Sequence, residues 1–540
     1  MGIRIALGTL VIMSLGVTGE PKWWQTMSLY QIYPRSFKDS NGDGIGDLKG
    51  VESKLQHLVD SKFDAFWLSP IYPSPMVDFG YDISDFKDVD PVFGTLKDFD
   101  DLLKKAHELK LKLILDFVPN HSSDKHEWFQ KSVKKIDPYT DYYVWSEGKV
   151  VDGVREPPNN WACVFYGSAW EWNEERGEYY LHQFAPAQPD LNYRNKHVVE
   201  EMKNVLRFWL DKGVDGFRID AVPHLFEVED LRDEPLTNVT SDPKSFQYTN
   251  HIYTQSLDET YDMVSQWRAV LEEYEKKDNE PRVMMIEVYA NLTKTMDYYK
   301  AGASYPFNFG FITSVSANST AEQFKLVVDN WMENMPEGAT ANWVVGNHDQ
   351  ARVVTRFGPK IAKAVIVMVQ LLPGVAVTYN GDEIGMENTK LTWEQTVDPQ
   401  GCNAGRAGFE KQSRDPTRTP FQWDSTTSAG FSTNATTWLP VNENYVTVNL
   451  EAQKGVPHSN YTSFLKVTEM RQWPSVKHGS ISTALIHDDI FAFSRELEGQ
   501  KSVYVVINLA EQDQSVDLTE NFKNVPAKVE LYHSTSEVSE

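Results

Sequence analysis

Cysteine is nearly absent: Cys163 and Cys402 are the two in 540 residues. That is too few for a disulfide scaffold, so the hydrophobic core itself must hold the fold. One bridge, two free thiols and two small buried apolar residues all remain open readings of the pair. Basic residues are also scarce, 52 Lys and Arg against 77 Asp and Glu, for a formal net charge of −25. Such a balance argues against nucleic acid as a partner, since phosphate backbones need clustered cations. No apolar run reaches the roughly 18 residues of a spanning helix. The stretch Ser534 to Glu540 is polar, and no GPI tail is visible in it. What is present, 41% hydrophobic and 12% aromatic residues, describes an ordered globular chain of two or three domains or one large barrel.

The N-terminus carries one cation, Arg4, then an apolar run from Ile5 to Val17 and the small Gly19. This reads as a signal peptide over residues 1–19, and hence as an extracellular protein with no spanning segment. Five Asn-x-Thr sequons, at Asn238, Asn291, Asn318, Asn434 and Asn460, agree with export and glycosylation.

Strand-like apolar runs alternate with helical ones, the signature of a parallel α/β sheet. Eight candidate strands lie at 29–33, 65–69, 112–117, 214–220, 283–287, 305–309, 343–347 and 375–379. Helices are predicted at 96–110, 196–212, 260–277, 321–335 and 359–372, the second with Val198, Met202, Val205, Leu206 and Trp209 on one face. Eight repeats predict a (β/α)8 barrel over residues 20–121 and 192–475. The stretch 122–191, rich in Trp, Tyr, Asn, Pro and Gly, is too long for a loop and reads as an inserted irregular domain over the barrel mouth. Residues 476–540 read as an antiparallel β-domain that stops soon after Val529 to Tyr532, short for a closed sandwich, which leaves truncation an open reading.

Several strands end in charged or amide residues: Asp116 and Asn120-His121, Arg218 and Asp220, Glu287, and Asn347-His348-Asp349. Buried carboxylates are costly unless paired, and in a barrel these tips converge on one face. The segment Asp39-Ser-Asn41-Gly-Asp43-Gly-Ile45-Gly-Asp47 alternates oxygen ligands like a calcium loop, though Gly50 stands where an EF-hand carries Glu.

The strings Asp116-Phe-Val-Pro-Asn-His121, Gln188-Pro-Asp-Leu-Asn192, Gly216-Phe-Arg-Ile-Asp-Ala-Val222, Ile286-Glu-Val-Tyr289, Asn347-His-Asp-Gln350 and Gly381-Asp-Glu-Ile-Gly385 occur in that order. In this ordered set the chain resembles glycoside hydrolase family thirteen, the α-amylase superfamily, and within it the insect-type maltases. The resemblance implies a retaining, exo-acting α-glucosidase with Asp220 as nucleophile, Glu287 as general acid/base and Asp349 as the third carboxylate. It implies that Asp82 and Arg414 hold the far hydroxyls of the first glucose, that Tyr81 stacks on the sugar, and that His121 and His348 donate to it. Arg218 is expected to keep Asp220 ionised, and His224 to help form the next subsite. Val222 is the residue that goes with α-1,4 rather than α-1,6 substrates. A structural calcium at Asp39, Asn41, Asp43, Ile45 and Asp47 is likewise implied, with no organic cofactor. Maltose, short malto-oligosaccharides and sucrose are the expected substrates. The alternative on the same barrel is a non-catalytic relative, either a heavy subunit of an amino-acid transporter or a cell-surface receptor. Thr419-Pro-Phe-Gln-Trp423, which is insect-maltase-like, and a pocket closed by Asp82 and Arg414 speak against an endo-acting amylase.

Overall fold

The computed structural model describes residues 21–510 and 512–535. The proposed signal peptide at 1–19 lies outside them. Eight parallel strands form one sheet: β1 Ser28–Ile32, β2 Ala65–Leu68, β3 Lys112–Phe117, β4 Gly216–Ile219, β5 Val283–Ile286, β6 Tyr305–Pro306, β7 Asn342–Val344 and β8 Val375–Tyr379. Their order runs β6-β5-β4-β3-β2-β1-β8-β7. The two terminal strands share no ladder. Their gap is bridged by one side chain, because Asn342 accepts from the Asn308 N–H at 2.8 Å and donates to the Pro306 carbonyl at 2.7 Å. The result is a (β/α)8 barrel.

Strand side chains alternate between two environments, as period two requires. Leu29, Ala65, Trp67, Ile114, Met285, Val375 and Val377 fill the lumen, with Trp24 and Met27 in the same cluster. Tyr30, Phe66, Leu68, Leu113, Leu115, Phe217, Ile219, Met284 and Ile286 face the surrounding helices. The helices include α1 Leu48–Asp60, α2 Leu96–Glu108, α3 Lys196–Lys212, α4 Asp258–Asp278, α5 Ala321–Asn334 and α6 Pro359–Leu371. Helix α3 is started by Asn195, whose side chain accepts from the His197 N–H, and stopped by left-handed Gly213 at φ 100°. None of the helices among the described residues is long and apolar enough to cross a membrane.

Between β3 and α3 the chain makes a short helix, Glu127–Val133, and small antiparallel pairs that include Trp170–Asn173 with Glu178–Leu181. Its apolar cluster of Trp161, Cys163, Trp170, Tyr179 and Leu181 is separate from the barrel core. After the barrel, β9 Ser480–Ile486, β10 Ile490–Glu496 and β11 Val503–Asn508 form an antiparallel sheet. The apolar run at Val529, Leu531 and Tyr532 adds no strand and stays exposed.

Candidate active site

The parity that fills the lumen also aims the chemistry. Ile114, Asp116, Arg218, Asp220, Met285 and Glu287 continue the inward-facing positions of β3, β4 and β5, and Asp116 pairs in register with Arg218. Arg218 is fully buried and becomes a hub. Its Nη1 reaches Asp116 at 2.8 and 3.0 Å and Asp220 at 2.5 Å, while its Nη2 reaches Glu287 at 2.7 Å. The guanidinium also lies over the Trp67 ring at 4.9 Å. Just after the nucleophile position the backbone turns left-handed at Ala221, φ 48°, an uncommon state for a residue with a Cβ. The turn aims the Ala221 N–H at Glu287 Oε2, 3.1 Å away.

One cation therefore serves three carboxyls. An uncompensated buried charge costs several kcal/mol, so the three do not all ionise together near neutral pH. The proton settles on Glu287, pushed up to about 8 by burial and by the nearby charges of Asp220 and Asp349 against the pull of Arg218. Asp220 and Asp116 rise only to about 6, since Arg218 offsets their burial. Because Glu287 Oε2 accepts from both Arg218 and Ala221, the proton belongs on Oε1.

Asp349 sits in the opposite electrostatic setting. Burial alone would raise it, but His348, Arg414, Arg418 and Arg218 hold it well below the usual carboxylate range. Arg414 spans Asp349 at 3.1 Å, Asp78 at 2.7 Å and Asp398 at 2.6 Å, and Arg418 meets Asp349 at 2.9 Å. Asp398 also accepts the Arg414 backbone N–H at 2.8 Å and its Nε at 3.0 Å, which fixes the guanidinium. The ring of Phe165 covers Arg414 at 4.7 Å.

Asp82, expected to pair with Arg414, does not meet it. Its carboxylate is fully buried and accepts from Ser74 Oγ at 2.8 Å and from the backbone N–H groups of Val77 and Asp78 at 2.9 and 3.0 Å. The group opposite Arg414 is Asp78, four residues earlier. Left-handed Phe79 and Gly80 fold this turn back on itself, so that Asp82 caps the very loop that presents Asp78.

A cavity of about 600 Å³ opens on these groups. Asp78, Tyr81, His121, Asp220, His224, Glu287, His348, Asp349 and Arg414 line it; Asp82 and Arg218 do not. Tyr81 stacks on His348 at 5.3 Å and donates to Asp116 at 3.1 Å. Burial keeps the three imidazoles neutral, pulling His121 to about 4 and His224 and His348 to about 3. His121 Nε2 meets the Tyr81 carbonyl at 3.1 Å, so its N–H holds backbone rather than standing free for a ligand. Val222 is fully buried and outside the lining, where Ala221 and Pro223 stand instead. Any effect of Val222 on specificity is therefore transmitted through that turn. The inserted segment supplies Val164, Phe165, Phe184 and Gln188 to the wall. Asp78, Asp398, Arg418 and Gln255 are the residues that motif reading missed. Arg418 alone left a trace, in the arginine spacing of Ser413-Arg-Asp-Pro-Thr-Arg418.

The α-amylase catalytic-domain profile matches residues 31–479. The chain belongs to the α-amylase family. Relatives within the family include the α-glucosidase of Apis mellifera, 54% identical over 94% of this chain and 89% of that protein. Maltase A1 of Drosophila melanogaster is 49% identical over 95% and 92%. An amino acid transporter heavy chain of Rattus norvegicus is more distant, 39% identical over 96% of this chain and 75% of its own length. Among solved structures, an α-glucosyl transfer enzyme superposes with a TM-score of 0.83 at 35% identity, covering 91% of this chain and 92% of that one.

Elsewhere in this α-amylase-family chain, the 39–47 loop closes on itself. Asp39 accepts from the N–H groups of Asn41, Gly42 and Gly44 and from Ser432, Asn41 and Asp43 cap the turns that follow, and Asp47 caps α1 through Gly50. Among the described residues no three His, Cys, Asp or Glu side chains gather to hold a metal. Asn238, Asn291 and Asn318 are exposed and Asn434 is half-buried. Asn460 departs from its sequon reading: its amide nitrogen, the glycan-bearing atom, donates to the Ile384 carbonyl at 3.3 Å. Cys163 is buried and Cys402 exposed, and both are free thiols.

Proposed function

We propose that the protein is an exo-acting, retaining α-glucosidase that releases terminal α-1,4-linked glucose from maltose and short malto-oligosaccharides, and glucose from sucrose. The observation that carries this reading is the single guanidinium shared by Asp116, Asp220 and Glu287. It sets a protonated acid beside an ionised nucleophile at neutral pH, the pairing that double-displacement glycoside hydrolysis needs. Glu287 gives its proton to the glycosidic oxygen as that bond breaks, and Asp220 captures C1 of the glucosyl unit. Glu287, now ionised, takes a proton from water, whose oxygen displaces Asp220 and frees glucose. Asp349, locked as an anion, stabilises the positive charge that develops on the ring between these steps. The Asp78–Arg414 pair, in place of the expected Asp82–Arg414 pair, offers the far hydroxyls a carboxylate and a guanidinium and limits the pocket to one terminal residue. Homology to proteins named α-glucosidase and maltase supports the same substrate class.

Glucose release from maltose, sucrose and isomaltose by the purified protein, beside Asp220→Asn, tests the reading. Release from maltose or sucrose that the mutant abolishes is the expected result. A folded wild-type protein that leaves all three intact would overturn it in favour of a non-catalytic member of the family.

Export behind a cleaved leader, glycans at Asn238, Asn291, Asn318 and Asn434, and a structural calcium belong to the same proposal. Relatives named salivary α-glucosidases, from Aedes aegypti and Anopheles gambiae, support export. For calcium, the oxygens of Asp39, Asn41, Asp43, the Ile45 carbonyl and Asp47 have the right chemistry, but they are turned to the loop's own N–H groups and would have to be drawn together around an ion. Burial would raise Asp39, but Ser432 and the loop N–H groups hold it below the usual range and keep it anionic. The ion would stiffen the loop after β1 and take no part in the reaction.

A further inference from the structure

On the wall of the cavity, away from the Asp78–Arg414 floor, a chain of polar side chains has only one consistent proton arrangement. It starts at His224, on the turn that follows Asp220 and aims Ala221 at the acid Glu287. Gln183 Nε2 lies 2.8 Å from the His224 backbone carbonyl and 2.7 Å from Asp190 Oδ2. A carbonyl can only accept, so this amide orientation holds whatever the protonation of Asp190. Gln183 Oε1 therefore faces His224 Nδ1, 2.8 Å away, and Nδ1 must carry the proton. The imidazole is neutral, because burial pulls its pKa to about 3. That leaves Nε2 as a bare acceptor. Gln255 Nε2 stands 3.2 Å from it and is the donor. The orientation of Gln255 is thus dictated from Gln183 through His224: its nitrogen is turned to His224 and its oxygen is turned away. Gln255 lines the cavity, and among the described residues no donor meets its Oε1. Phe184, 5.1 Å from the His224 ring, and Phe246, at 6.5 Å, supply apolar surface on either side.

We propose that Gln255 is a specificity-determining residue of the leaving-group side, its Oε1 accepting a hydrogen bond from a hydroxyl of the departing sugar. The Asp190–Gln183–His224 chain is the positioning device that keeps an acceptor, and not a donor, at that point. The residue favours hydroxylated leaving groups such as a second glucose over aromatic ones that have no hydroxyl to give. This deepens the α-glucosidase reading and rests on it.

The test compares maltose with p-nitrophenyl α-glucoside, which share the glucosyl unit and differ in the leaving group. Gln255→Leu, close in volume but without the acceptor, is expected to lower kcat/KM for maltose by roughly tenfold, the usual effect of one hydrogen bond to a buried site. It should change the aryl glucoside less than about twofold, which also reports that the variant folds. Gln255→Asn keeps an amide with both a donor for His224 Nε2 and an acceptor oxygen, and should lower the maltose-to-aryl ratio less than the Leu variant does. Equal losses on both substrates would overturn the proposal in favour of a structural role. Unchanged kinetics on both in the Leu variant would show that nothing on the leaving group touches Gln255. A wild-type protein that cleaves neither substrate sinks the α-glucosidase reading itself and the proposal with it, and so is distinguishable from a failure of Gln255 alone.

Discussion

Two clusters of the same residue types, each reaching one cavity through some of its carboxyls, behave differently. Around Arg218, one cation serves Asp116, Asp220 and Glu287, and all three carboxyls rise. Around Arg414 and Arg418, two cations serve Asp78, Asp349 and Asp398; Asp349 and Asp398 fall below their usual range, while burial still raises Asp78. Both clusters are buried, so burial does not separate them. The count of guanidinium groups does. Three carboxyls on one guanidinium make a site that can hand a proton over; three on two make a site whose Asp349 stays an anion and binds without titrating.

Removing the nucleophile should have the largest effect. Asp220→Asn is expected to lower kcat on maltose by about 10⁴-fold or more, with a melting temperature near wild type, since Arg218 keeps two carboxylate partners. Breaking the other cluster should cost binding and stability together. Arg414→Ala leaves Asp78 and Asp398 buried without their partner, for a loss of about 3–5 kcal/mol in denaturant unfolding and roughly 100-fold in kcat/KM. If stability were unchanged, the charge-count account of that cluster would fail. A finer comparison sets Asp78→Asn beside Asp82→Asn. The first should raise KM for maltose about tenfold or more, whereas the second, which keeps an acceptor for only one of the Val77 and Asp78 N–H groups and does not line the cavity, should act mainly on thermal stability.

The pH profile reads the shortage directly. Activity needs Asp220 ionised, and is lost as pH falls through about 6. It needs Glu287 protonated, and is lost as pH rises through about 8. Asp116→Asn removes one claimant on Arg218, so both limbs should move to lower pH in a kcat/KM titration. The smallest expected change is a melting temperature a few degrees lower in chelator, restored by calcium, if the 39–47 loop holds an ion.

Much of the barrel was legible because parity and periodicity survive in sequence. Lumen and helix sides alternate along each strand, so the carboxylates at the tips of β3, β4 and β5 could be read as inward and convergent. The choice between Asp78 and Asp82 was not legible. Both sit in one short stretch, and which one turns inward depends on left-handed backbone at Phe79 and Gly80. Gly80 marks that bend, but Phe79 gives no such sign. Asp398 and Gln255 left no trace for a different reason. They reach the site from loops, sixteen residues before Arg414 and thirty-one after His224, where no repeat fixes direction. The inserted segment was recognisable by its length and composition, since its strands are too short for alternation to register.

The closure of the barrel has a consequence for how the molecule moves. Seven of the eight joints between strands are backbone ladders, and the eighth is the amide of Asn342 reaching across to Pro306 and Asn308. A cylinder made this way has a built-in zip line. Transient opening should begin along that line, and amide hydrogens of β6 and β7 should exchange with solvent deuterium before those of β1 to β4. Glu287 stands at the tip of β5, next to the strand that lets go first, so the proton donor rides on the looser margin of the barrel and the nucleophile on its firmer arc.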